Sequence, residues 1–175
     1  MNPVITYPGT DEYPEGMKNY IEAAKAEDLL SGLAASQEYI INFMLGLDEE
    51  RLSHRYAPGK WSIKELMVHM MDAERIFAYR ALRFARQDKT DLAGFDENQY
   101  VGPSKADKRT ITSILAEYAA VRQATIELFK NFDTEMLNQT GTANNNRVSV
   151  RALGYAILGH EIHHLNIIRQ RYMES

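Results

Sequence analysis

Across four long stretches of this chain, apolar residues recur every three or four positions, and nowhere do they alternate for long enough to mark a sustained strand. That period calls for helices, and a helix with one apolar stripe must bury it against another element. The first stretch runs from about Met17 to Leu47, with Tyr20, Ala23, Ala24, Leu30, Leu33, Tyr39 or Ile40, Phe43 and Leu47 on its stripe. The second opens at Trp61-Ser62-Ile63-Lys64-Glu65, where Ser62 can cap the helix and Glu65 can close a capping box. It reaches about Gln87 along Ile63, Leu66, Met70, Ala73, Phe77, Ala81 and Phe84. Thr110 or Thr112 opens the third, whose face carries Ile114, Leu115, Tyr118, Val121, Thr125, Leu128 and Phe129. Ser149 is placed to cap the last, which extends to about Tyr172. The expected fold is therefore all-α, a four-helix bundle with one long crossover.

The segments between these stretches are read as connections. Leu52 to Lys60 carries the turn signal Pro58-Gly59, and Asp133 to Leu137 suits a short helical turn. Gly141 to Asn146 reads as a polar loop. Residues 88–109 have no period; so long a connection either covers a pocket, with Phe95 and Tyr100, or simply joins two helices. Residues 1–16 are broken by Pro3, Pro8, Gly9, Pro14 and Gly16 and read as an extended arm. Residues 17–175 are then expected to form a single domain.

Composition narrows the chemistry. The chain has no cysteine among its 175 residues, which excludes disulfides, Cys-ligated zinc, iron–sulfur clusters and a thiol nucleophile of its own. Any soft-metal site must rest on the 5 histidines. A net charge of -4 argues against a nucleic-acid partner. No apolar run approaches the ~18–20 residues of a membrane span, and the N-terminus does not read as a signal peptide, so a cytoplasmic location is the default expectation.

His160 and His164 stand four residues apart on the last helix, only about 40° apart in projection and one turn apart in height. Leu153, Ile157 and Ile168 share their stripe, so both imidazoles replace core residues on an inward face. A single inward histidine is ordinarily a satisfied core residue, but two that can point at one place suggest metal ligands. His69 on the second helix, on a stripe with Leu66, Ala73 and Ile76, is the third candidate, and Asp72 lies close enough to support it. Three histidines without cysteine describe an open site, with room for water or substrate. Imidazole suits zinc, nickel, copper and iron alike, so the residues alone do not name the metal. His163 points elsewhere, and His54 lies in a surface connection.

The run His160-Glu161-Ile162-His163-His164 matches H-E-x-x-H, in which a peptidase uses the glutamate as general base. The short remainder of the chain contains neither His nor Asp as a third ligand, and its glutamate, Glu174, is near the end. Ile167 and Gln170 occupy the Gly and His places of the extended motif. Glu161 stays open as a local base, a support for the ligands, or a salt-bridged residue. A di-iron site would need a second Glu-x-x-His, and Glu65 and His69 have the wrong spacing.

The stretch from Ala57 to Arg75, with Trp61, His69, Asp72 and Glu74, resembles the DinB-like superfamily, also called the YfiT-like candidate metal-dependent hydrolases. So do Gly94-Phe-Asp-Glu-Asn98, Gly141-Thr-Ala-Asn144 and the run from Arg151 to His164. That resemblance implies an up-down-down-up bundle and a divalent metal, nickel or zinc, held in the places of His69, His160 and His164. It also implies a small-molecule substrate. Characterised members include S-transferases using bacillithiol, mycothiol or glutathione, so a low-molecular-weight thiol is a candidate cofactor. The leading expectation is a metal-dependent S-transferase or hydrolase. Its rivals are a non-catalytic metal-binding bundle and a homodimeric interaction protein.

Other features carry weaker expectations. Arg80, Arg83 and Arg86 recur every third residue and form either a solvated face paired with acids or a contact for the carboxylates of an acidic thiol cofactor. Arg147 and Arg151 offer a second candidate anion contact. Gly154 and Gly159 inside the last helix permit either close packing or space beside His160. Met67, Met70 and Met71 suit ordinary core filling, and Trp61 a plug at the bundle end.

Overall fold

The computed structural model describes residues 4–25 and 28–173; Pro3 and Glu174, weighed above, lie outside them. A 3-10 turn over Glu15–Met17 leads into α1 (Lys18–Ala23). There follow α2 (Leu29–Leu45), α3 (Glu49–Ser53), α4 (Ile63–Ala85), α5 (Glu97–Ser104) and α6 (Ile111–Lys130). The chain closes with α7 (Thr134–Asn138), the strands β1 (Thr140–Ala143) and β2 (Asn146–Ser149), and α8 (Val150–Tyr172).

The long helices begin where their caps are. Ser62 accepts a hydrogen bond from the amide of Glu65 at 3.1 Å, and the Glu65 carboxylate accepts one from the amide of Ser62 at 2.9 Å, so the capping box is complete. Thr110 and Ser149 cap α6 and α8 through the amides of Ser113 and Ala152. The other boundaries depart from expectation for equally local reasons. Met17 to Leu47 is two helices, because Asp28 adopts an extended conformation and caps a fresh start through the amide of Ser31. Asp96 likewise starts α5 inside the segment expected to be irregular, and Asp48 starts α3, which runs into the connection expected from Leu52. The polar loop at 141–146 is a hairpin turn. Asn144 and Asn145 take positive φ values of 50° and 61°, the geometry that matches the twist of two short antiparallel strands. Four-residue strands are too short for alternation to show in sequence.

The bundle order follows from which residues meet. Leu29 packs beside Gly154 and Ser36 bonds to Glu161, so α2 and α8 run parallel. Ser62 bonds to Asp107, and further on Arg75 pairs with Glu117 and Glu74 with Arg122, so α4 and α6 also run parallel. Tyr172 donates to the carbonyl of Trp61 while His69 meets His160 and His164, which makes α4 and α8 antiparallel. Arg122 reaches Leu33 and Ala119 reaches Gln37, which makes α2 and α6 antiparallel. The result is up-down-down-up, with α4 and α6 parallel and side by side, while α2 and α4, and likewise α6 and α8, face each other across the bundle.

Two apolar clusters fill the interior. One gathers Leu29, Leu33, Phe84, Phe129 and Leu153; the other gathers Ile40, Met67, Met71, Tyr118 and Ile168. The methionines at 67, 70 and 71 are core, as expected. Between the clusters lies a polar layer made of His69, Glu74, Arg122, His160, Glu161 and His164, all buried. The N-terminal arm is tied to the same helices. Tyr155 donates to the carbonyl of Ile5, and Glu12 accepts from Ser149 and Arg151. Arg151 is thus committed to an ion pair at 2.5 Å and does not form an anion site. Among the described residues, no helix is long and apolar enough to cross a membrane.

Candidate metal centre

The antiparallel register of α4 and α8 builds the site. Trp61 faces Tyr172; eight residues along α4 and eight back along α8, His69 faces His164. His160, one turn earlier, falls on the same side. Three Nε2 atoms then converge: His69 to His160 at 3.0 Å, His69 to His164 at 3.2 Å, and His160 to His164 at 3.0 Å. A tetrahedral ion with Zn–N bonds of about 2.0–2.1 Å places its nitrogens roughly 3.3 Å apart, so the trio can hold a metal.

The environment keeps these rings neutral. Burial lowers the pKa of His69, and the carboxylate of Glu97 opposes that only in part. His160 lies well below the ordinary imidazole range, through burial and then through His164, His69 and His163. His164 is pushed down to about 3 by burial and by His69 and His163. Three neutral imidazoles offer three lone pairs to one point. Hydrogen bonds among themselves cannot satisfy all of them, and Nδ1 of His164 is also buried without a partner.

The trio opens on a cavity of about 380 Å³. Aromatic rings wall it: Trp61 lies 5.0 Å from His69, Tyr20 lies 5.2 Å from His160, and Phe77 lies 6.2 Å from His160. Trp61 therefore stands beside a site histidine as well as at the bundle end. Tyr20 reaches the site because α1 presses onto α8 at Gly159. A Cβ there would lie 1.7 Å from the carbonyl oxygen of Tyr20. Gly154, against Leu29 and Phe129, is also a close-packing glycine. Phe95 and Glu97 from the segment expected to be irregular, and Asn144 and Asn146 from the hairpin, complete the rim.

Other predicted residues separate from the trio. His163 is half-buried with its ring against Tyr20 and His164, and His54 is exposed near Tyr172. Asp72 is half-buried, 3.7 Å from Arg75. Glu161 turns away from the cavity into the bundle. Its carboxylate accepts from Ser36 at 2.5 Å, from Tyr118 at 2.7 Å, and from both terminal nitrogens of Arg122 at 2.9 and 2.5 Å. Arg122 also grips Glu74 at 2.9 Å and the carbonyl of Leu33 at 3.1 Å. Although burial alone would lower its pKa, Glu161 and Glu74 hold Arg122 charged. Glu161 is therefore the salt-bridged residue of the three alternatives, not a base over the histidines.

A family model describing the DinB superfamily matches residues 32–168. The chain belongs to the DinB superfamily. A candidate metal-dependent hydrolase of Oceanobacillus iheyensis is 25% identical over 162 residues, covering 90% of this chain and 92% of that one. Another so named, from Geobacillus thermodenitrificans, is 27% identical over 121 residues, 65% of this chain and 67% of its own. In architecture the chain is similar to YfiT of Bacillus subtilis, described as a candidate metal-dependent hydrolase with an unusual four-helix-bundle topology. The TM-score is 0.68 at 14% identity, over 97% of this chain and 95% of that one.

Sequence reasoning missed Tyr20, Glu97 and the two asparagines as parts of the cavity. Tyr20 was visible only as a stripe residue, and Glu97 lay in a segment without period. The run Gly94 to Asn98 was the available signal: Gly94 sits against the Asn144 side chain, where a Cβ would meet Oδ1 at 2.3 Å.

Proposed function

We propose that this protein is a metal-dependent enzyme acting on a small molecule, with His69, His160 and His164 as the protein ligands of a divalent zinc or nickel ion. The observation that carries this reading is the convergence of three buried Nε2 atoms on one point beside a cavity that all three histidines line. An ion held by three imidazoles with a position left open supplies Lewis acidity toward a carbonyl, a phosphoryl group or a thiol. The chain's own contribution is to keep the imidazoles unprotonated by burial and to exclude water with Tyr20, Trp61 and Phe77. Hydrolysis is the reaction class that the names of the two relatives support. Transfer to an external thiol is the alternative, and in a chain without cysteine the sulfur would arrive with a ligand. The reading goes with a cytoplasmic enzyme that meets neither nucleic acid nor membrane.

Elemental analysis of the purified protein tests it. One equivalent of metal per chain is expected in the wild type. Alanine at any of His69, His160 and His164 should lower it at least about tenfold, while His163→Ala leaves it unchanged. Equal metal content in the wild type and the three site variants overturns the assignment. Parallel assays of ester hydrolysis and of thiol conjugation with glutathione and bacillithiol separate the two reactions.

A further inference from the structure

Arg80 is one of the chain's buried charges, with 5% of its surface exposed. Buried cations are ordinarily paired. Arg122 holds two carboxylates, Arg151 holds Glu12, and Arg83 on the same helix holds Asp88. Around Arg80 no carboxylate of the described residues comes within ion-pair distance. Its hydrogen bond runs from Nη2 to the carbonyl of Ala93 at 2.9 Å. The guanidinium carbon lies 5.8 Å from the ring centre of Phe77 and 6.0 Å from that of Phe95, between two aromatic neighbours.

Arg80 lines the same cavity as the three histidines. Arg80 is eleven residues after His69 on α4, which returns it to nearly the same face, and side chains on a helix lean toward its N-terminus. It therefore reaches back along the cavity wall toward the trio, with Phe77 standing between it and His160. Glu97 also lines the cavity but forms no ion pair with Arg80, whose pKa burial lowers. An arginine fork that is buried, flanked by aromatic rings and without a carboxylate partner is suited to a carboxylate or a phosphate oxygen pair.

We propose that Arg80 anchors an anionic group, a carboxylate or a phosphate, on the small molecule that occupies the cavity. The anion sits at the Phe77–Phe95 end, and the reacting group of the same molecule extends past Phe77 to the histidines. Ligands of this cavity are then organic acids or phosphate esters with an apolar or aromatic spacer. The inference rests on the reading of the cavity as a ligand site and does not require the metal.

The test uses metal-stripped protein titrated with phenylacetate, phenyl phosphate and the neutral phenylacetamide, followed by NMR on the backbone and on the Arg80 Nε–H resonance. Both the anion preference and its origin are then read without metal coordination. At least one anion should bind about 10- to 100-fold more tightly than the amide, shifting the Arg80 resonance, and the tighter anion identifies the group. Arg80→Met should abolish the preference, and Arg80→Lys should keep a weaker one. Equal binding of all three probes to the wild type, or an unchanged preference in Arg80→Met, overturns the proposal. Should Arg80→Met fail to fold, the wild-type resonance and Arg80→Lys decide. Metal content of the Arg80 variants should equal that of the wild type. A protein that binds the anions but never metal sinks the catalytic reading alone, and one that binds metal without anion preference sinks this inference alone.

Discussion

Two polar clusters share the middle of α8, one residue apart, and they are built on opposite principles. His160 and His164 face α4, where they meet His69; Glu161 faces α2 and α6, where it meets Arg122, Ser36 and Tyr118. Around Arg122 every strong donor and acceptor finds a partner. In the histidine trio three like groups point at each other, and one further nitrogen has no partner at all. The contrast separates a cluster that completes the fold from one that is completed by something else. A satisfied polar network orders its helices, while an unsatisfied one stores capacity to bind.

Removing the hub of the satisfied cluster should produce the largest effect. Arg122→Met leaves Glu74 and Glu161 buried and uncompensated, and should cost about 3–5 kcal/mol in chemical denaturation of the metal-free protein. A loss below about 1 kcal/mol would show that the network is not holding the bundle. Next comes pH, which touches the trio and spares the ion pairs. The folded imidazoles have pKa values below the unfolded value of about 6.5, so the unfolded chain takes up protons first. Stability contributed by the neutral rings is therefore full above about pH 6.5. It is lost as pH falls toward the His164 value of about 3, by up to roughly 1.4 kcal/mol per pH unit for each ring. Thermal melts of metal-free protein between pH 7.5 and 5 should show this decline, and His164→Leu should make it shallower.

The smallest effect sharpens the contrast most. His164→Leu replaces a buried, half-satisfied ring with an apolar group, and should stabilise the metal-free protein by about 1 kcal/mol at pH 7.5 while abolishing metal binding. Destabilisation by more than that amount would mean that the trio also serves the fold, and the distinction between the clusters would fail.

Much of this was legible in the chain. The capping box at Ser62 and Glu65 and the cap at Ser149 located both site helices, because a cap depends only on residues three apart. The spacing of His160 and His164 put both rings on one face for the same local reason. Boundaries failed where a short helix or strand falls below the length at which periodicity can be counted, as at Asp28, at α5 and in the hairpin. Arg122 was hidden because it stands on the apolar stripe of α6, four residues after Tyr118, where one charged residue looks like an exception.

What the sequence determined by itself is the course of α4, α6 and α8, their caps and the histidines that α4 and α8 present inward, since these rest on contacts within a turn or two. Only the tertiary structure decided which inward groups meet. The antiparallel register of α4 and α8 brings His69 to His160 and His164. The parallel run of α2 beside α8 turns Glu161 to Ser36 and Arg122, away from the histidines. Close approach of α1 over Gly159 brings Tyr20 to the cavity, and the hairpin closes its rim. These are long-range encounters, fixed by how apolar stripes pack rather than by any one stripe, and that is why the motif left three readings of Glu161 open and only the packed bundle selects the salt-bridged one.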